Sequence, residues 1–263
     1  MTNPVIAQIH AHRSIRAYKP DPVPDDMVEL IVAAGQRAST SSNMQLTTAV
    51  AVKDAAKRAQ LADLCGNQEQ IRQAPVFIAW CADRHRLDLA CAQQGYTQNN
   101  DYLESFLVAA VDVGIFMQTA TLAAESLGLG MCYIGAIRNN PRQVIEVLGL
   151  PHHVFPISGM VLGYPDADPI LRPRLGLNAV LHWEQYDSEK LGPELQAYDR
   201  VMAATGIYGG RQVQLANGQV EMENYGWLAH SARRVATAAP GSAPGGGGAG
   251  VGVAITHIEA RLL

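Results

Sequence analysis

The stretch AAESLGLGMCYIGAIRNNP, residues 123–141, decides which fold the chain can adopt. Its central part, Gly128-Leu129-Gly130-Met131-Cys132-Tyr133-Ile134-Gly135, invites a dinucleotide-binding reading, and that reading fails twice. The G-x-G-x-x-G fingerprint requires glycine where Tyr133 stands, and it must follow a strand and open a helix. Here the order is reversed. Upstream, from Tyr102 to Leu127, apolar residues recur with a near-helical period and are almost continuous, so a long helix is expected, central and buried because it is apolar on most sides. Gly128 and Gly130 end it. Met131 to Ile134 then reads as a buried strand, and Pro141 to Leu148 as the next helix.

Working outward, Thr47–Val52, Val76–Cys81 and Phe155–Leu162 are rich in β-formers and suit buried strands. Asn3–Ala11, Pro24–Arg37, Ala55–Leu64 and Ser188–Ala204 read as helices, the second opened by Pro24 and the favourable charges of Asp25 and Asp26. Gly206–Gly218 is irregular. From Ala236 to Gly252 the composition collapses into Ala, Gly, Pro and Ser, which bury too little apolar surface to hold a fold. The expected organisation is one α+β domain over 1–205, a C-terminal excursion over 206–235 and a flexible tail over 236–263.

Among the 263 residues, 48% are apolar and 17% charged, a balance that folds around a core. The net charge of -4 supplies no global field toward nucleic acid or anionic lipid, so any basic site must be local. Met1-Thr2-Asn3-Pro4 lacks the features of a secretory signal. The nearest candidate for a membrane span, Leu103 to Leu129, is interrupted by Glu104, Asp112, Gln118 and Glu125. Cys65, Cys81, Cys91 and Cys132 show no CxxC spacing and read as isolated reduced thiols. A cytoplasmic protein without membrane or nucleic-acid partners is expected.

Two basic clusters carry the chemistry. In His12-Arg13-Ser14-Ile15-Arg16, an extended backbone would set His12, Ser14 and Arg16 on one side and Arg13 on the other. Two guanidiniums and a hydroxyl within five residues suit a phosphate. In Arg172-Pro173-Arg174 the proline favours an extended Arg172, so both arginines should point one way. Either cluster alone also fits an ordinary surface ion pair. The Ser39-Thr40-Ser41-Ser42-Asn43 loop and the Gly66-Asn67-Gln68 turn offer small donors suited to a heterocycle edge, though such residues are commonplace in turns. His152-His153 reads as a surface pair, and no metal-ligand spacing or nucleophile motif is present. Asp112 and Glu125 fit catalytic acids, but the polar face of a helix and dimer contacts explain them as well. The lack of an obvious general base suits hydride transfer, in which a cofactor carries the reaction.

Taken in order, HRSIR at 12–16, STSSNMQ at 39–45, GNQ at 66–68, AAESLGLGMCYIGAIRNNP at 123–141, LGLPHHVFPISGMVLGYP at 148–165 and RPRL at 172–175 resemble the nitroreductase superfamily. Within it, they are closest in kind to the NADPH-dependent oxygen-insensitive nitroreductases and flavin reductases, collinearly over roughly the first 200 residues. The resemblance implies a three-layer α+β fold, a mostly antiparallel sheet flanked by helices. It implies an obligate homodimer with FMN between the subunits and the long helix at the dimer interface. By the same resemblance, His12, Arg13, Ser14 and Arg16 take the FMN phosphate and ribityl side, and Arg172 and Arg174 complete the phosphate clamp. Thr40 and Gln68 contact the flavin ring system, with Tyr133, Ile134, Gly135 and Ala136 beside or behind it. Ser41, Asn43 and Arg211 fall to substrate or NADPH.

The implied reaction is a two-step hydride transfer from NADPH or NADH to the flavin, then to a nitro compound, quinone or free flavin. Alternatives are a flavin reductase supplying reduced FMN, a non-catalytic flavin-binding protein and a sibling chemistry such as reductive dehalogenation. Departures from the family's pattern are Ala136 in place of a second glycine, Asn43 near the substrate position, and the tail after Arg234. Arg211 is the single arginine between Gly206 and Gly218, with Arg233-Arg234 further on, so the choice between NADPH and NADH is open.

Overall fold

Two strands with apolar residues on both faces, β2 (Val76–Asp83) and β4 (Val154–Gly163), form the centre of a four-stranded sheet. β1 (Thr47–Val52) flanks β2 and β3 (Gly130–Ile134) flanks β4, giving the order β1-β2-β4-β3 with every pairing antiparallel. Ala79 lies opposite Gly159 and Tyr133 opposite Met160, and a bulge at Trp80/Cys81 shifts the β2–β4 register. This is a computed structural model, and it describes residues 3–99, 102–209 and 225–236. Its helices are α1 (Pro4–Ala11), α2 (Asp25–Gly35), α3 (Ala55–Leu64), α4 (Glu69–Gln73), α5 (His85–Gln93), α6 (Leu103–Ser126), α7 (Pro141–Leu148), α8 (Leu191–Ala204) and α9 (Trp227–Ala236).

The alternation of side chains along β2 divides the core into two. Phe77, Ala79 and Cys81 pack with Leu61 of α3, Ile71 of α4 and Val144 of α7. Ile78, Trp80 and Ala82 pack on the other face with Ile31 of α2 and Val113 and Ala120 of α6. The result is helix, sheet and helix in three layers, as expected. Trp80 and Phe77 are fully buried, and truncating either to alanine would cost about 3–5 kcal/mol. α2 lies so close to α6 that a Cβ on Gly35 would fall 2.5 Å from the Phe116 ring.

Local signals place the ends of the helices. Asn3 caps α1, its Oδ1 accepting from Ile6 N at 2.9 Å, and Asp54 caps α3 through Lys57 N at 2.7 Å. α6 closes at Gly128, whose φ of +79° suits glycine, with Leu129 N donating to Ala124 O at 3.1 Å. The chain divides into two compact units, the first ending at Ile170 and the second running from Leu171 to Ala238. Within the second, α8 and α9 pack together, Leu228 N donating to Asp199 Oδ1 at 2.7 Å and Tyr198 meeting Trp227 edge to face.

Four expectations need correction. β1 is an edge strand, and of its residues only Val52 is buried. α6 is not buried all round: Ala109, Val113, Ala120 and Ala124 face the sheet, while Leu103, Leu107, Val111 and Ile115 are exposed on the single chain. The same helix is long and apolar enough to cross a membrane by length and composition, despite its polar residues, yet one face packs on the sheet. His153 is buried, its Nδ1 2.5 Å from Asp88 Oδ2, so the His152-His153 pair is half interior. α4, α5 and α9 were not foreseen. Arg211 and the tail over 237–263 lie outside the described residues.

Candidate functional site

The HRSIR run is fastened to the free side of β3. Ser14 forms a parallel bridge with Met131, and Ile15 N donates to Met131 O at 2.9 Å. Further along, Lys19 N donates to Tyr164 O at 2.9 Å and Asp166 N to Ala17 O at 3.0 Å, so the segment is held on both flanks. Gly130 permits the approach, because a Cβ there would sit 2.5 Å from Ile15 Cγ1 and 2.9 Å from Pro165 Cγ. Ile15 is buried in the core, which turns Ser14 and Arg16 the other way.

The charges around this strand are unevenly met. His12 Nδ1 lies 2.5 Å from Glu125 Oε1, at the last turn of α6. Arg13 Nη1 donates to Asp168, while Arg13 Nε is buried without a hydrogen-bond partner. Arg16 is exposed and makes no ion pair among the described residues. A buried guanidinium donor left unmet is costly unless a ligand meets it. The donor set of Arg13, Ser14 and Arg16 therefore fits an anionic group such as the phosphate of FMN.

Tyr133 and Ile134 end β3, and Gly135 and Ala136 open the 3-10 turn Gly135–Arg138 that follows. Because Ser14 bridges Met131, residues 12–16 lie beside the same strand that carries Tyr133 and Ile134. Tyr133 Oη lies 2.7 Å from Thr121 Oγ1 and donates to Met117 O at 3.1 Å or Gln118 Oε1 at 3.2 Å. Burial pushes its phenol up to about 12, with the Thr121 hydrogen bond opposing and the Glu125 charge adding to the rise. The guanidinium of Arg138 donates to Ile157 O. The Gly66–Gln68 turn follows α3, and Asn140 Nδ2 donates to Leu64 O at 2.7 Å, tying α3 to the chain just past the 3-10 turn. Gln68 itself is satisfied locally, donating to Cys65 O at 2.8 Å and accepting from Gln70 Nε2 at 2.5 Å.

The loop with Thr40, Ser41 and Asn43 is anchored elsewhere on α6. Thr40 Oγ1 donates to Asp112 Oδ2 at 2.5 Å, and Ser41 N donates to Asp112 Oδ1 at 3.0 Å. Asp112 precedes Glu125 by 13 residues on the same helix, about 20 Å along its axis. One chain therefore does not bring Thr40, Ser41 and Asn43 to the His12–Arg16 strand. Arg172 and Arg174 belong to the second unit, both exposed, with Arg174 Nη1 donating to the carbonyls of Arg172 at 3.1 Å and Pro173 at 3.3 Å. A cavity of about 690 Å³ lined by Leu177, His182, Trp183 and Tyr186 also lies in that unit and contains none of the expected site residues.

Sequence reasoning missed the two carboxylates as anchors, Asp112 for the loop and Glu125 for His12. A signal was present, since an acidic residue within an otherwise apolar helix needs a partner. Among the described residues no group of three or more His, Cys, Asp or Glu is placed to hold a metal ion.

The unit is a three-layer α+β fold with a basic strand laid beside β3, and comparison with known proteins identifies its family. Residues 9–164 match the Nitroreductase family and residues 172–243 the Nitroreductase family, C-terminal domain, so the chain belongs to the nitroreductase family. It is 44% identical to FMN reductase [NAD(P)H] of Bacillus subtilis over 204 residues, 76% of this chain and 82% of that protein. It is 42% identical to the oxygen-insensitive NADPH nitroreductase of Salmonella typhimurium, over 76% of this chain and 82% of that one. Among solved structures, NfrA2 of B. megaterium superposes with a TM-score of 0.82 at 39% identity, covering 90% of this chain and 93% of that one. The NADPH:FMN oxidoreductase from Vibrio harveyi complexed with NAD+ gives 0.78 at 36% identity, covering 90% and 93%.

Proposed function

We propose that the chain is an FMN-dependent NAD(P)H oxidoreductase that reduces nitro compounds, quinones or flavins as a homodimer. The observation that carries this reading is the unmet, buried Arg13 Nε on a strand fastened beside Tyr133–Ala136. FMN held there would supply two-electron hydride chemistry between a reduced nicotinamide and the acceptor. His12, Arg13, Ser14 and Arg16 hold the phosphate and ribityl side, and Arg172 and Arg174 act as further phosphate ligands. Gln68 and Thr40 meet the ring system, Tyr133, Ile134, Gly135 and Ala136 lie against it, and Ser41, Asn43 and Arg211 serve substrate or NADPH. The names of the relatives, FMN reductase, NADPH-flavin oxidoreductase and NADPH nitroreductase, support the reading.

The homodimer is supported by the exposed stripe Leu103, Leu107, Val111 and Ile115 on α6, four apolar side chains that a single chain leaves in water. An antiparallel two-fold pairing on that face sets Asp112 of one α6 against the middle of the same stripe on the other, so the 39–45 loop that Asp112 anchors lies at the subunit boundary. Ile115→Asp should yield monomers that lose flavin; a flavin-loaded dimer in sedimentation would refute the pairing. A cytoplasmic location is supported by the free thiols of Cys65, Cys81 and Cys91.

The test of function is the absorbance spectrum of the purified protein, followed by anaerobic NADPH and then NADH. A flavin spectrum that bleaches quickly is expected. Colourless protein that takes up no added FMN would overturn the reading. Release of reduced flavin during turnover would favour service to a partner over direct reduction of a nitro compound.

A further inference from the structure

Glu125 is poorly placed for the stability of its own helix. It sits in the last turn of α6, where a negative charge opposes the helix dipole. Its side chain is 13% exposed, and its Oε2 is buried without a hydrogen-bond partner. An apolar residue there would avoid both penalties. What the carboxylate does gain is His12, through the 2.5 Å contact between Oε1 and Nδ1. An ionised carboxylate has acceptor sites only, so Nδ1 carries the hydrogen and Nε2 is the atom left for another partner. Among the described residues, Nε2 makes no hydrogen bond.

We propose that Glu125 is a positioning residue of the ligand site, fixing the tautomer and orientation of His12 so that Nε2 is presented to the polar chain of the bound flavin nucleotide. The proposal rests on the FMN reading above. Glu125 touches no ligand in it and acts through His12 alone. That distinguishes it from Asp112, which engages a hydroxyl and a backbone N–H of the 39–45 loop.

The test is a double-mutant cycle on the full-length protein stripped of flavin and titrated with FMN, with thermal unfolding of each variant followed separately. Glu125→Ala and His12→Ala should each weaken FMN binding by about tenfold, the equivalent of about 1.4 kcal/mol. The double variant should bind no more weakly than either single variant. Glu125→Gln should stay within about threefold of the wild type, because its amide oxygen still accepts from Nδ1. If Glu125→Ala fails to fold, Glu125→Leu fills the space without the carboxylate and takes its place in the cycle. Multiplying effects in the double variant, or a Gln variant as weak as Ala, would overturn the proposal while wild-type binding left the FMN reading intact. A wild type that takes up no FMN would overturn that reading, and the proposal with it.

Discussion

Residues 12–16 and 172–174 are both basic clusters, yet the fold treats them in opposite ways. The first is fastened to β3 by its backbone, and its side chains meet Glu125 and Asp168 on other elements. The second is satisfied within itself, Arg174 donating to the carbonyls beside it and Tyr198 Oη donating to Pro173 O at 3.1 Å. Neither Arg172 nor Arg174 forms an ion pair among the described residues. A cluster built before its ligand arrives gives its contacts at little ordering cost, whereas exposed side chains lose rotamer freedom on binding. Equal charge in the sequence thus does not mean equal worth to a ligand.

The largest effect tests both clusters at once. Arg16→Ala combined with Arg174→Ala should leave a folded protein that purifies with little flavin. Each charge-assisted contact is worth roughly 1.5–3 kcal/mol, so losing two weakens binding by about a hundredfold or more. Retention of stoichiometric FMN would show the phosphate assignment to be wrong. Of the single variants, Arg13→Ala, which removes the buried Nε donor, should be more damaging than Arg174→Ala, and equal losses would erase the contrast between the clusters.

A second comparison uses the glycine beside each cluster. A Cβ on Gly130 meets Ile15 and Pro165, neither of which can move without lifting the strand from β3. Gly130→Ala should cost about 1–3 kcal/mol in urea unfolding and weaken FMN as the strand shifts. At Gly176 the Cβ meets Glu194 Oε2 at 2.5 Å, the end of a flexible side chain. Gly176→Ala should stay within about 0.5 kcal/mol of the wild type. Equal costs would mean that the first cluster is no more rigidly held than the second.

The contrast between the clusters was not legible in the sequence, although much of the frame was. Hydrophobic period and turn residues located the four strands and α3, α6 and α7 between Thr47 and Leu162, because each buries a face within the same chain, while the short α4 and α5 escaped them. Where burial depends on something beyond the element, the reading failed. The all-round apolarity of α6 suggested an interior helix, but its Leu103, Leu107, Val111 and Ile115 are exposed on the single chain. β1 has the composition of a core strand and lies at an edge, because composition does not state strand order. The basic cluster at residues 12–16 was visible in the sequence, and Glu125 and Asp168 as partners of His12 and Arg13 were not, since they lie 113 and 155 positions further along the chain.

The His153–Asp88 pair repeats the carboxylate–histidine chemistry of His12–Glu125 with no element of either arginine cluster involved. Burial pushes the Asp88 carboxyl up, but hydrogen bonds from His153 and Gln98 outweigh it and hold the group below its ordinary 3.8. A depressed carboxylate adds stability above its unfolded value, and that stability is lost as pH falls through the folded one. Asp88→Asn should therefore be less stable than the wild type at neutral pH and converge with it in acid. FMN binding should be untouched. Parallel stability curves for the two proteins across the acid range would show that the pair contributes no charge-dependent stability.

The smallest expected effect bears on what Asp168 does for Arg13. Its side chain is 84% exposed, so the pair is largely screened and worth at most about 1 kcal/mol. Backbone pairing along residues 14–19 already fixes the strand, so the ion pair is not needed to place Arg13. What Asp168 does occupy is Nη1, one of the donors that a phosphate would use. Asp168→Asn should then leave unfolding by urea unchanged within about 0.5 kcal/mol. It should leave FMN affinity unchanged or up to about threefold tighter, because an amide competes less strongly than a carboxylate for the guanidinium. A clear loss of FMN in this variant would reverse the comparison: the first cluster would owe its geometry to an exposed ion pair, and the packing of Ile15 against β3 would no longer explain why it is the better-organised of the two.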